Sequence, residues 1–116
     1  LAEHKVIGYS YMSGGDTWTF DGPEGTVNVK VHPWMSTNNG DTCLAVALAN
    51  QGITLQPTFL VGDDLTTGRL VEILPDYHSS EFGIYAVYPT RKHVAPKVRA
   101  LVNFLEQRLS ALWCSP

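Results

Sequence analysis

Residues 52–77, GITLQPTFLVGDDLTTGRLVEILPDY, decide the fold when read with FGIYAVYP at 82–89 and PKVRALVNFLEQRL at 96–109. An apolar strand over residues 53–56 runs into Pro57, which has no N–H to continue a ladder. A short helix holding Asp63, Asp64 and Leu65 follows, with its acids expected near its N-terminus, where the helix dipole favours them. Gly68 closes that helix. Residues 70–74 read as a strand stopped by Pro75, and residues 84–88 as a strand stopped by Pro89. Pro96 suits the first position of a final helix. Along that helix Val98, Leu101, Val102, Leu105, Leu109 and Leu112 make one apolar stripe, and Arg99, Asn103, Glu106, Gln107 and Arg108 face away.

Toward the N-terminus, residues 42–50, TCLAVALAN, combine helix formers with small side chains. Ala45, Ala47 and Ala49 would let this helix lie close to a sheet, and Gly52 is placed to end it in the left-handed region. Ser36 to Asp41 is polar and rich in N-cap residues, with Asp41 itself a candidate cap. Ahead of it, TVNVKVHP at 26–33 alternates, with Val27, Val29 and Val31 on one face and Asn28, Lys30 and His32 on the other. The composition of residues 21–25, DGPEG, makes a turn, and Thr17, Trp18, Thr19 and Phe20 form a strand before it. Ser13, Gly14, Gly15 and Asp16 break the chain after a first strand over residues 5–11. The resulting strand–helix–strand–helix–strand order predicts an α/β fold on a parallel sheet with right-handed crossovers. The hairpin gives it an antiparallel or mixed edge.

A chain of 116 residues with 44% apolar content supports one domain with a modest core. Its net charge is −3, which is not the footprint of a nucleic-acid binder. The one basic cluster, Arg91, Lys92, His93, Lys97 and Arg99, reads as a solvated loop and helix face. No apolar run is long enough to span a bilayer. The opening residues LAEHK lack the pattern of a signal peptide and an initiator methionine, so a fragment or processed piece is expected. Cys43 and Cys114 lie far apart in dissimilar settings, which favours a reducing, cytoplasmic location over a disulfide framework.

The catalytic and metal patterns fail on inspection. Gly8 to Met12 starts like a nucleophile elbow, but Met12 stands where the second glycine belongs. His4, His32, His78 and His93 have no ligand-like spacing with each other or with cysteine. Residues 13–16, SGGD, are too short for a phosphate loop and lack its lysine–serine ending. Trp18 and Trp34 are large aromatics beside strands, and such residues are more often core than pocket wall. No catalytic residue, metal ligand or cofactor is expected.

The series GITLQP, LTTGRLVEILPDY, IYAVYP and PKVRALVNFLEQRL resembles the effector-binding domain of LysR-type transcriptional regulators. That family shows a glycine and apolar strand ending in proline, then G-x-L before a strand ending in leucine-proline. A YAVYP-like strand and a P-x-V-R-A helix follow. The Trp-x-Phe at 18–20 and the NNGD at 38–41 fit as well, so the resemblance spans residues 1 to about 112. Each motif alone is weak; their order and spacing together are specific.

The resemblance implies an α/β, type 2 periplasmic-binding-protein-like lobe with a mixed sheet flanked by helices, the first lobe being incomplete. It places the second subdomain at 1–82, with a crossover strand and C-terminal helix of the first subdomain at 83–116. It implies a homo-oligomeric bacterial regulator that binds DNA only through a helix-turn-helix domain absent from this chain. A small organic effector, carboxylates included, would bind between two lobes, with no catalysis and no membrane contact. The implied effector contacts are Met35, Ser36, Thr37, Asn38, Pro57, Ile84 and Tyr85. Hydroxyl and amide groups beside a helix N-terminus suit an anion on physical grounds too. An ionised Asp41 would oppose one, and residues 36–41 read equally as a capping loop. A self-associating interaction module and, more remotely, an α/β hydrolase fragment are the competing readings.

Overall fold

The computed structural model describes residues 1–12, 14–90 and 92–113, with Trp113 described in its backbone only. Ser13, Arg91 and Cys114, each part of a reading above, lie outside the described residues. The elements are β1 (Val6–Tyr9), β2 (Thr17–Gly22), β3 (Gly25–Lys30), β4 (Pro33–Thr37), α1 (Gly40–Leu48), α2 (Thr58–Thr66) and α3 (Pro96–Trp113). The chain divides into two compact units, Leu1–Ser80 and Glu81–Pro116.

In the first unit β1 pairs with β4 in parallel, Ile7 opposite Met35, Gly8 opposite Ser36 and Tyr9 opposite Thr37. Trp34 falls in the irregularity between Val6 and Ile7; its Nε1 donates to the Gln51 carbonyl at 2.8 Å and Lys5 Nζ sits 5.0 Å from its ring centre. On the other side of β1, Ile7 N donates to Ile53 O and Ile53 N to Lys5 O, both at 2.9 Å. This is the parallel β–α–β arrangement expected of the pattern, but the strand over 53–56 reduces to a bridge at Ile53. After it, Leu55 packs against the hairpin core and Pro57 has no donor, so the ladder stops.

β2 and β3 form an antiparallel hairpin with Trp18 opposite Val29 and Phe20 opposite Val27. Alternation puts Trp18 and Phe20 inside, edge to face at 6.5 Å, with Val6 and Val31. Trp18 is core, as its class suggests, whereas Trp34 stays half exposed on β4. The valine face expected of residues 26–33 is covered at Val31, partly covered at Val29 and open at Val27 near the turn.

α1 buries Cys43 and Ala47 against Ile7, one helical turn apart, with Leu70 alongside. Ala45 and Ala49 instead face solvent. The cap at the start of α1 is Asn39, whose Oδ1 accepts from Thr42 N at 3.1 Å; Asp41 lies in the first turn. At the end of α1, Asn50 rather than Gly52 takes the left-handed turn at φ 59°. Asn50 N donates to Ala47 O and Gln51 N to Val46 O, a Schellman closure. Gly52, at φ 147°, is needed for another reason: a Cβ there would lie 2.8 Å from the Lys5 carbonyl oxygen.

α2 begins directly after Pro57, so Asp63 and Asp64 lie in its C-terminal half and not near its N-terminus. Asp64 is buried and pairs with Arg69, Nη2 to Oδ1 2.6 Å, while Leu70 N donates to Asp64 O. That pair offsets an otherwise unfavourable carboxylate near the helix's negative end. The strand over 70–74 is not formed: Leu74 turns left-handed at φ 55°, and Val71 and Ile73 are exposed. The segment instead returns to β2 through Asp21 and His78, which exchange backbone bonds of 2.8 and 2.9 Å.

In the second unit the strand over 84–88 is also not formed. Its residues are all apolar or aromatic, but no partner strand among the described residues takes its backbone groups, and Tyr85 and Val87 are exposed. α3 starts at Pro96 as expected, and Leu101, Phe104, Leu105 and Leu112 on it are exposed.

Candidate functional site

β4 delivers its last residues to the start of α1. Ser10 N donates to Thr37 O at 2.8 Å, which holds the strand end, and Thr37 Oγ1 accepts from Asn39 N at 3.2 Å. Met35 and Thr37 are half-buried, while Ser36 and Asn38 are exposed. Ser36 lies over Gly8 of β1: a Cβ on Gly8 would come 2.7 Å from Ser36 Oγ and 3.0 Å from Pro33 Cγ. Glycine in the middle of a buried strand marks such a close approach, and Gly8 is the signal in the sequence that points to this one.

Asn39 satisfies two early donors of α1, Thr42 N through its side chain and Cys43 N through its carbonyl at 3.2 Å. Gly40 N and Asp41 N, ahead of the first intrahelical donor, have no acceptor among the described residues. The result is a strand end carrying a hydroxyl and an amide, followed by two open N–H groups at the positive end of a helix. Such a place favours an anion. Asp41, exposed in the same turn, is the charge that opposes one.

Gln56 comes against this end from the other side. Its Nε2 donates to Thr54 Oγ1 at 3.4 Å, and a Cβ on Gly40 would lie 3.2 Å from its Oε1 and 2.8 Å from Leu60 Cδ1. Gly40 thus lets α2 and the segment before Pro57 approach the first turn of α1. Gln56 is an addition to the sequence-derived set, which holds its neighbour Pro57. Met35, Ser36, Thr37, Asn38 and Pro57 all belong to the first unit, while Ile84 and Tyr85 belong to the second and are exposed there.

Cys43, beneath this end, is buried, with its Sγ 3.9 Å from the Gly8 carbonyl oxygen. Burial raises its thiol pKa, a hydrogen bond with Thr54 pulling less strongly the other way. A thiol held neutral in a core is unreactive. An apolar depression of about 220 Å³ lies elsewhere, lined by Leu1, Phe20, Val27, Val29, Leu74 and Tyr77 on the hairpin face. No group of three or more metal-ligating side chains occurs among the described residues, and no helix there is long and apolar enough to cross a membrane.

The family described as LysR substrate binding domain matches residues 1–110, and the chain belongs to that family. The HTH-type transcriptional regulator PtxR of Pseudomonas aeruginosa is 32% identical over 109 residues, covering 94% of this chain and 35% of PtxR. YagP of Escherichia coli K12, a LysR family substrate binding domain-containing protein, is 31% identical, covering 90% of this chain and 78% of YagP. The full-length structure of AphB, a Vibrio cholerae virulence activator of the LTTR family, superposes with a TM-score of 0.74 at 26% identity. It covers 89% of this chain and 35% of AphB. The chain therefore spans about a third of PtxR and AphB. Its fold is the α/β, type 2 periplasmic-binding-protein-like lobe that the resemblance implied.

Proposed function

We propose that this chain is the effector-sensing part of a LysR-type transcription regulator, and that a small organic acid is held at the β4–α1 junction. The observation that carries the proposal is the pair of open N–H groups at Gly40 and Asp41, which follow directly on the strand end that carries Ser36 and Asn38. Ser36 and Thr37 donate hydrogen bonds to the effector's oxygens, and Asn38 supplies a further amide donor. Met35 and Pro57 give the apolar border. The family resemblance assigns Ile84 and Tyr85 to effector contact as well.

The chain does no chemistry on the effector in this reading. Binding acts by favouring one arrangement of the regulator over another, which requires a difference in affinity between the two. The remainder of the regulator, with its helix-turn-helix domain and its homo-oligomer contacts, turns that preference into altered DNA binding in the cytoplasm. PtxR, named as an HTH-type regulator, supports this reading.

Isothermal titration of the regulator with a panel of small mono- and dicarboxylates is the test. At least one acid is expected to bind, and the paired change Ser36→Ala and Thr37→Ala is expected to weaken it about tenfold or more, as for two lost hydrogen bonds to a charged group. Unchanged affinity in that variant removes the junction from the site.

A further inference from the structure

We infer that Asn39–Gly40 is a site of spontaneous covalent modification, at which the asparagine is converted to an aspartyl or isoaspartyl residue. Asn39 is exposed, and its Nδ2, the leaving amine, has no partner among the described residues. The Gly40 nitrogen has no acceptor among them either, because it precedes the first intrahelical donor. Gly40 also has no Cβ to crowd an approach to the Asn39 side chain. The other asparagines differ: Asn28, Asn38, Asn50 and Asn103 precede Val29, Asn39, Gln51 and Phe104, whose side chains shield the attacking nitrogen.

The reaction needs only water. The Gly40 nitrogen attacks Asn39 Cγ, the N–Cγ bond forms, the Cγ–Nδ2 bond breaks, and the displaced Nδ2 leaves as ammonia with the proton from Gly40 N. The product is a five-membered succinimide. Water then opens the ring: cleavage of the bond to Cγ gives the aspartyl chain, and cleavage of the bond to the main-chain carbonyl carbon gives the isoaspartyl chain. No electron transfer is involved.

In the folded protein Asn39 stands at ψ 120°, and closure requires rotation about its Cα–C bond. The 3.1 Å bond from Thr42 N to Asn39 Oδ1 resists that rotation, so the cap guards its own residue. Reaction proceeds when the cap opens. The aspartyl product keeps a capping oxygen, whereas the isoaspartyl product lengthens the backbone by one carbon and carries the cap away from Thr42. Both place a negative charge beside the junction proposed above as the effector's seat; the modification itself stands without that reading, and its detection by mass does not depend on it.

Peptide mapping by mass spectrometry during incubation in mildly alkaline buffer at physiological temperature tests the inference. The one-dalton gain, with isoaspartate confirmed by enzymatic methyl labelling, is expected at position 39 ahead of every other asparagine. Asn39→Ser, which keeps a capping hydroxyl, should abolish it. Thr42→Pro, which removes the guarding N–H within the first helical turn where proline is tolerated, should accelerate it several-fold. An unmodified position 39 in the folded protein, while the urea-unfolded chain converts there, overturns the inference; an equal rate in the proline variant overturns the role of the cap.

Discussion

Single atoms decide whether β4 and α1 meet in the form described. Gly8 has no room for a methyl group under Ser36 Oγ, 2.7 Å from where a Cβ would lie. Gly8→Ala is expected to destabilise the fold by about 1–3 kcal/mol, the usual effect of overpacking, and to shift Ser36. Urea denaturation measures the first effect. Asn39→Ala removes the oxygen that accepts from Thr42 N and should cost about 1 kcal/mol, while Asn39→Asp should be near neutral. Cys43 gives a pH signature. Its folded thiol pKa lies above the ordinary 9.0, so below that value both folded and unfolded chains hold the proton and the group contributes nothing. As pH rises past 9.0 the unfolded chain ionises first, and stability falls by up to about 1.4 kcal/mol per pH unit until the folded thiol ionises. Denaturation of wild type and Cys43→Ala across that range should show the slope in the first and its loss in the second.

Elements were legible wherever periodicity and local chemistry sufficed. The α1 span follows from small helix formers ended by a turn, the hairpin from β-favouring alternation around DGPEG, and α3 from its stripe behind Pro96. The sequence is silent where a strand depends on a partner, because a short apolar run ended by proline specifies burial and a stop, not a ladder. Residues 70–74 and 84–88 are short apolar runs closed by Pro75 and Pro89, yet among the described residues no neighbouring strand takes their N–H and C=O groups. Caps were misplaced for a related reason: Asn39 and Asp41 are both good caps, and only the turn geometry chooses between them. Acids favour a helix N-terminus as a rule, but Asp64 lies in the C-terminal half of α2 because Arg69, just beyond the helix, pairs with it there. Arg69→Ala leaves a buried carboxylate unpaired and loosens the turn that seats Leu70 against Ile7, Cys43 and Ala47. A loss of about 3 kcal/mol is the upper expectation, since Arg69 itself is well exposed and solvent screens the pair. Thermal unfolding of that variant checks it.

At the scale of the whole molecule, the family was legible as an ordered set of weak motifs, while the junction's detailed geometry was not. Residues 36–41 read in the sequence as either a cap or a seat; in the structure Asn39 caps α1, and Gly40 N and Asp41 N are left without an acceptor among the described residues, which is the feature the proposed seat rests on. The central claim is that a small acid is read by those donors. It is tested most directly by following the backbone amide resonances of the ¹⁵N-labelled regulator during titration with the carboxylate panel. The account expects the binding acid to shift the Gly40 and Asp41 amides most, with Ser36 and Asn38 close behind. Saturable binding that leaves those four signals unmoved while others shift would contradict it.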